Sequence, residues 1–178
     1  MRNPIETVAW VRVENGRVLC ARSRGKDVFY IPGGKREAGE TELDTLLREV
    51  KEELTVDLLP ETARHIGTYR EQAHAQADGV VVTMSCYTAD YQGTPAASSE
   101  IEELDWLSYA DRDRVAPVDQ LLFDDLRAEG QLRLARAPAR QDRGHLPARI
   151  RGVDVHDDAP AFRAHAPETA TTPSFVPR

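Results

Sequence analysis

Residues 33–56, GGKREAGETELDTLLREVKEELTV, hold more chemistry per residue than any other segment of the chain. Glu49, Glu52 and Glu53 stand at i, i+3 and i+4, so on a helix they share one face. Leu43, Leu46, Leu47, Val50 and Leu54 fall on a separate face at the spacing of a core-packing helix. The stretch therefore reads as an amphipathic helix with its acidic side outward, entered through the glycine loop Pro32-Gly33-Gly34. Thr41 suits the N-cap, with Asp44 where a capping box usually has Glu or Gln. Leu59-Pro60 lies past the helix end.

Working upstream, Thr7 to Val13 is rich in strand formers, and its imperfect alternation suits a strand buried on both sides. Asn15-Gly16 tolerates the positive φ of a tight hairpin, returning the chain through Arg17 to Arg22. A basic cluster of Arg22, Arg24 and Lys26 follows, and Val28 to Ile31 reads as a short strand leading to the glycines. Downstream, Ile66 to Ala75 and Val80 to Tyr91 are extended segments joined through Ala77-Asp78-Gly79. A Pro/Ala/Ser-rich loop from Gly93 ends in Glu100, Glu102 and Glu103 and feeds a short strand at Leu104 to Leu107. Pro117 opens a last amphipathic helix, Val118 to Ala128, and Gly130 stops it. A mixed sheet is expected.

With 178 residues, one domain of ordinary size is expected. Residues 1–132 form that domain. Residues 133–178 hold six of the eleven prolines and little hydrophobic periodicity, so disorder is expected there. No apolar run approaches the roughly 18 residues of a membrane helix, and the N-terminus has no secretory pattern, so a cytoplasmic location is expected. Cys20 and Cys86 sit in apolar, strand-like segments, as small core residues do.

The net charge of −7 opposes stable binding to a nucleic-acid backbone. It is unevenly spread: the tail has eight Arg against five acids, leaving −10 on residues 1–132. Three carboxylates on one helical face repel one another. Arg48 can pair with Glu52 or reach back to Glu40, and a hard divalent cation would offset the remainder. Mg²⁺ takes carboxylate oxygens, keeps waters and shares substrate phosphates.

Gly34, Glu40, Arg48, Glu49, Val50, Glu52, Glu53 and Val56 resemble the Nudix box: glycine, five residues, Glu, seven residues, then Arg-Glu-apolar-x-Glu-Glu-x-Gly-apolar. Thr55 stands where the family usually has Gly, which puts the helix exit in question. The resemblance covers about residues 4 to 130 and implies an α/β/α sandwich around a mixed sheet, MutT-like. It also implies hydrolysis of a nucleoside diphosphate linked to a group X, or of an oxidised nucleoside triphosphate, to a nucleoside monophosphate and pyrophosphate or phosphate-X. By the same resemblance Glu52 and Glu53 bind Mg²⁺ or Mn²⁺. Glu49 is then a further ligand or an activator of water, the Gly33 carbonyl is a ligand, and a Glu40–Arg48 salt bridge holds the loop on the helix. Glu100 is the candidate general base, with Glu103 as the runner-up. Arg22, Arg24 and Lys35 are the cations expected near the phosphates.

Ala116-Pro117-Val118-Asp119 resembles the MutT-like stretch that reads a purine edge. Asp119 can equally be a helix N-terminal acid. His74 and Tyr69 suit either a pocket wall or a strand surface. Two alternatives stay open: a Nudix hydrolase of nucleotide sugars or dinucleotides, and a non-catalytic nucleotide-binding regulator, which the intact carboxylates oppose. The expected partner is a nucleotide or another diphosphate-containing small molecule, and the expected state a monomer or homodimer.

Overall fold

Val8 and Trp10 leave one side of the first strand and Ala9 the other, and all three are buried. This strand, β1 (Ile5–Trp10), is therefore central, as its broken alternation implied. A computed structural model of the chain describes residues 4–134. Most of the expected tail, residues 135–178, lies outside the described residues.

Around β1 the order is β4-β1-β7-β6. The short strand β4 (Gly33–Lys35) is antiparallel to β1, and β7 (Val81–Thr88) is parallel to it. β6 (Arg64–Gln72) pairs antiparallel with β7, so the sheet is mixed. A second sheet is built from β2 (Val13–Glu14), β3 (Arg17–Ser23) and β9 (Ile101–Leu107) in the order β2-β3-β9. A two-stranded ribbon joins β5 (Asp57–Leu58) to β8 (Tyr91–Gln92).

Two helices cover the sheets from opposite sides. From α1 (Glu42–Leu54), Leu46, Val50 and Leu54 join Val8, Trp10 and Leu19 in one core cluster. From α2 (Pro117–Ala128), Leu122, Phe123 and Leu126 join Ala9, Val11, Val18 and Met84 in the other. Apolar faces of both helices are thus removed from water on either side of one layer of strands, the expected α/β/α arrangement. Cys20 and Cys86 are buried, free thiols in the second cluster, as expected. Among the described residues no helix is long and apolar enough to cross a membrane.

The punctuation is close to that expected. Asn15 and Gly16 take φ of 51° and 74° at the hairpin, and Thr41 and Asp44 form a reciprocal capping box. Val28 to Ile31, however, is not a strand. Tyr30 makes only an isolated bridge to Ala21, and Phe29 one to Val115. The sheet pairing is taken over by Gly33–Lys35, where the missing side chain of Gly33 lets the backbone pass close to β1: a Cβ on Gly33 would fall onto the Val8 carbonyl. β9 begins at Ile101, three residues before the expected Leu104, which shortens the acidic loop.

Candidate functional site

α1 sets out most of the charged groups. Arg48 lies at the centre, with Nε 2.7 Å from Glu40 Oε1 and Nη2 2.9 Å from Glu40 Oε2. Its Nη1 donates to Glu49 Oε1 at 2.8 Å and stands 3.7 Å from Glu52 Oε2, while Nη2 also reaches the Lys35 carbonyl at 3.3 Å. The bidentate fork ties the glycine loop to the helix. Its hydrogen bonds hold the Glu40 carboxyl down at about 2, with help from the Thr45 hydroxyl.

Gly34 serves the same face for a steric reason. A Cβ there would fall inside the Glu49 carboxylate.

Glu53 corrects the expectation of an outward acidic face. It is 8% exposed and accepts the Gly33 N–H at 3.0 Å. The reason lies in its spacing: three residues after Val50 and seven after Leu46, it continues the buried stripe. Burial raises its pKa to about 8, and the negative charges of Glu49, Glu100 and Glu52 push the same way. Glu49 is half-buried and Glu52 exposed.

Glu100 arrives from the loop before β9. Its carbonyl accepts the Arg24 N–H at 3.0 Å, and Ser98 N–H donates to the Glu53 carbonyl at 2.9 Å. Both bonds fasten that loop beside α1. Glu103 instead pairs across the strands with Arg22.

A cavity of about 290 Å³ opens beside these groups. Gly33, Gly34, Lys35, Glu53 and Glu100 line it, as do Asp119, Tyr30, His74 and Lys26. Asp119 is 1% exposed and sits in the first turn of α2. Its Oδ1 takes a long 3.5 Å bond from Ile31 N–H, and among the described residues Oδ2 has no hydrogen-bond partner. Burial raises its pKa to about 8, so the carboxyl is mostly protonated at neutral pH. Asp119 is thus a helix N-terminal acid, as one of the two expectations had it, and a buried one.

Of the expected site residues, Glu53, Glu100, Gly33, Lys35 and Asp119 thus meet at one cavity, and Glu49 and Arg48 adjoin it. Arg24 is exposed and contributes its backbone. The Arg22 guanidinium is directed to Glu102, Glu103 and the Lys26 carbonyl, so its expected place beside phosphates is replaced by a place beside carboxylates. His74, expected as either a pocket wall or a strand surface, lines the cavity, as does Lys26 of the basic cluster, and Tyr30 joins them without having been singled out from sequence. His74 Nε2 lies 3.0 Å from Asp27 Oδ1, and its ring meets Tyr30 edge-on at 6.3 Å. Tyr69 lines a separate hollow and donates to Asp125 at 2.9 Å.

The donors are oxygen only, which suits a hard divalent cation. Among the described residues, no three Asp, Glu, His or Cys side chains already close into a metal cage.

The NUDIX domain family model matches residues 2–126. The chain belongs to that family. The solution structure of the E. coli ORF135 protein is similar at 27% identity and a TM-score of 0.57, covering 70% of this chain and 91% of that one. The MutT NUDIX hydrolase of Burkholderia pseudomallei shares the fold at 20% identity and a TM-score of 0.57, over 69% and 98% of the two chains. An RNA pyrophosphohydrolase of Halorhodospira halophila is 49% identical over 41 residues, a stretch that spans 23% of each protein.

Proposed function

We propose that this Nudix hydrolase cleaves the diphosphate of a nucleotide with the help of a divalent cation, a nucleoside triphosphate being the leading substrate class and an oxidised one included. Water attack releases a nucleoside monophosphate and pyrophosphate, or phosphate-X from a nucleoside diphosphate-X. The observation that carries this reading is the polarity of the cavity: carboxylates at Glu53 and Glu100, and the partnerless Asp119 oxygen lining the same space.

Glu49, Glu52 and Glu53, with the Gly33 carbonyl, would hold Mg²⁺ or Mn²⁺, which when bound offsets diphosphate charge and lowers the pKa of the attacking water. Glu100 accepts the proton of that water. Arg48 fixes the direction of Glu49, and Lys35 and Lys26 are the cations within reach of phosphate oxygens. The neutral Asp119 carboxyl can donate and accept at once, which matches the paired donor and acceptor of a nucleobase edge. Tyr30 and His74 offer rings for its faces.

The partial likeness to an RNA pyrophosphohydrolase raises a second reading, action on RNA. The −10 carried by residues 1–132 disfavours it, since RNA binding calls for a basic surface. A screen of nucleoside triphosphates, 8-oxo-dGTP, ADP-ribose, nucleotide sugars, dinucleotides and triphosphorylated RNA for Mg²⁺-dependent phosphate or pyrophosphate release separates these. Turnover of mononucleotides, lost in Glu53→Gln, is expected. No turnover of any of them would leave a non-catalytic binding module.

A further inference from the structure

Three neighbouring carboxylates, Glu100 just before β9 and Glu102 and Glu103 at its start, lie within four residues of one another, yet only Glu100 lines the cavity. The difference is made from the neighbouring strand. Arg22 stands directly across from Glu103 in the β3–β9 pairing, and just beyond it the register steps past Glu102 to match Ser23 with Ile101. That irregularity brings both carboxylates within reach of one guanidinium. Arg22 Nη2 and Nε donate to Glu103 Oε2 at 2.7 and 3.2 Å, while Nη1 donates to Glu102 Oε2 and to the Lys26 carbonyl, each at 3.2 Å. Below, the guanidinium lies 5.7 Å from the centre of the buried Phe29 ring, which limits its sideways movement.

Glu100 itself is carried by a tightly specified backbone. Ser99 before it has φ of 55°, a left-handed conformation uncommon for a non-glycine residue. Ile101 N–H closes the turn onto Ser98 O at 3.0 Å, and Arg24 N–H holds the Glu100 carbonyl. Such a turn persists only when its surroundings hold it.

We infer that Arg22 is a positioning residue. By binding Glu102 and Glu103 it fixes the strand that carries Glu100 and keeps the two neighbouring carboxylates out of the cavity, so that one loop acid rather than three meets the cation and water. Exposed ion pairs of this kind add little to global stability, so the role should appear locally and in catalysis. The inference rests on the reading that Glu100 acts in the cavity.

Amide hydrogen exchange on the full chain tests it without any substrate, comparing Arg22→Ala and the Glu102→Gln/Glu103→Gln double variant with the unaltered protein. Expected is a loss of protection of at least about tenfold at Arg24, Ser98 and Ile101, with α2 unchanged and the unfolding midpoint within about 2 °C. With Mg²⁺ and whichever of dGTP, dCTP or 8-oxo-dGTP is hydrolysed, kcat falls about tenfold in both variants at constant KM. Unchanged loop protection overturns the inference, and so does a raised KM at constant kcat in Arg22→Ala, which would make Arg22 a phosphate ligand. Glu100→Gln separates the two failures. If it stays fully active, the reading of Glu100 has failed. If it is inactive while Arg22→Ala is fully active, only the positioning role has.

Discussion

Asp119 and Glu53 are both acids that the fold holds out of water, and each was legible in the sequence to a different depth. Glu53 was visible as part of a carboxylate triplet, but its burial followed from a position on the leucine stripe that the charge pattern obscured. Asp119 was visible as an acid at the start of a helix and, through the resemblance of Ala116-Pro117-Val118-Asp119, as a base-reading candidate, but its burial was not. That it faces a cavity depends on Ile31, 88 residues away, which no local pattern links to it. The folded pKa of about 8 stands above the ordinary 3.8, so between these values the folded chain keeps a proton that the unfolded chain has released. Stability from the neutral carboxyl is therefore complete below about pH 3.8 and is lost as pH rises towards 8. Urea unfolding between pH 5 and 8.5 should show the native protein losing on the order of 3 kcal/mol relative to Asp119→Asn, whose amide does not titrate. Parallel profiles for the two proteins would show that Asp119 is ordinarily ionised. In the same variant, discrimination between dGTP and 8-oxo-dGTP should diminish, measured as the ratio of their kcat/KM values.

At the scale of single elements, α1 shows why local sequence goes so far. Its cap, its apolar stripe and the Arg48 fork are all set by spacings within a few turns, and all were read from residues 33–56. Its exit was the weak point, because Thr replaces a glycine there. Thr55 nevertheless takes the left-handed conformation, φ 61° and ψ 13°, with its N–H donating to the Lys51 carbonyl at 3.1 Å. A β-branched residue so placed costs about 1 kcal/mol or more. The side chain is exposed, so removing it forfeits little packing. Thr55→Gly should therefore raise the urea midpoint at unchanged m-value, by the equivalent of about 1 kcal/mol once the greater freedom of glycine in the unfolded chain is counted. A midpoint that stays the same or falls would mean that the conformation is not strained. Between β3 and the glycine loop the local reading failed instead: Val28 to Ile31 has strand-forming side chains, but β4 takes the place beside β1 because only glycines can pass so close to the Val8 carbonyl.

For the whole molecule, the decisive events are pairings between segments about eighty residues apart. β1 lies parallel to β7 and β3 antiparallel to β9, and only those registers carry Glu100 to Glu53 and put Arg22 opposite Glu103. The strands themselves were recognisable, but their partners were not, since alternation specifies a face and leaves the neighbour open. Folding thus collects carboxylates whose repulsion and desolvation oppose the folded state, and the cation proposed above would stabilise the folded chain by binding only when they are assembled. In Mg²⁺ or Mn²⁺ at a hundredfold excess over Kd, the native protein should gain about 2.7 kcal/mol, lost again on adding EDTA. Glu53→Gln removes the buried charge and the proposed ligand together. It should be more stable than the native protein in EDTA at pH 8.5, where Glu53 is ionised, and should gain much less from either cation. Thermal unfolding with and without EDTA checks both signs at once. If Glu53→Gln gains as much from Mn²⁺ as the native protein does, the cation is held elsewhere, and the buried carboxylate serves only to anchor the Gly33 N–H.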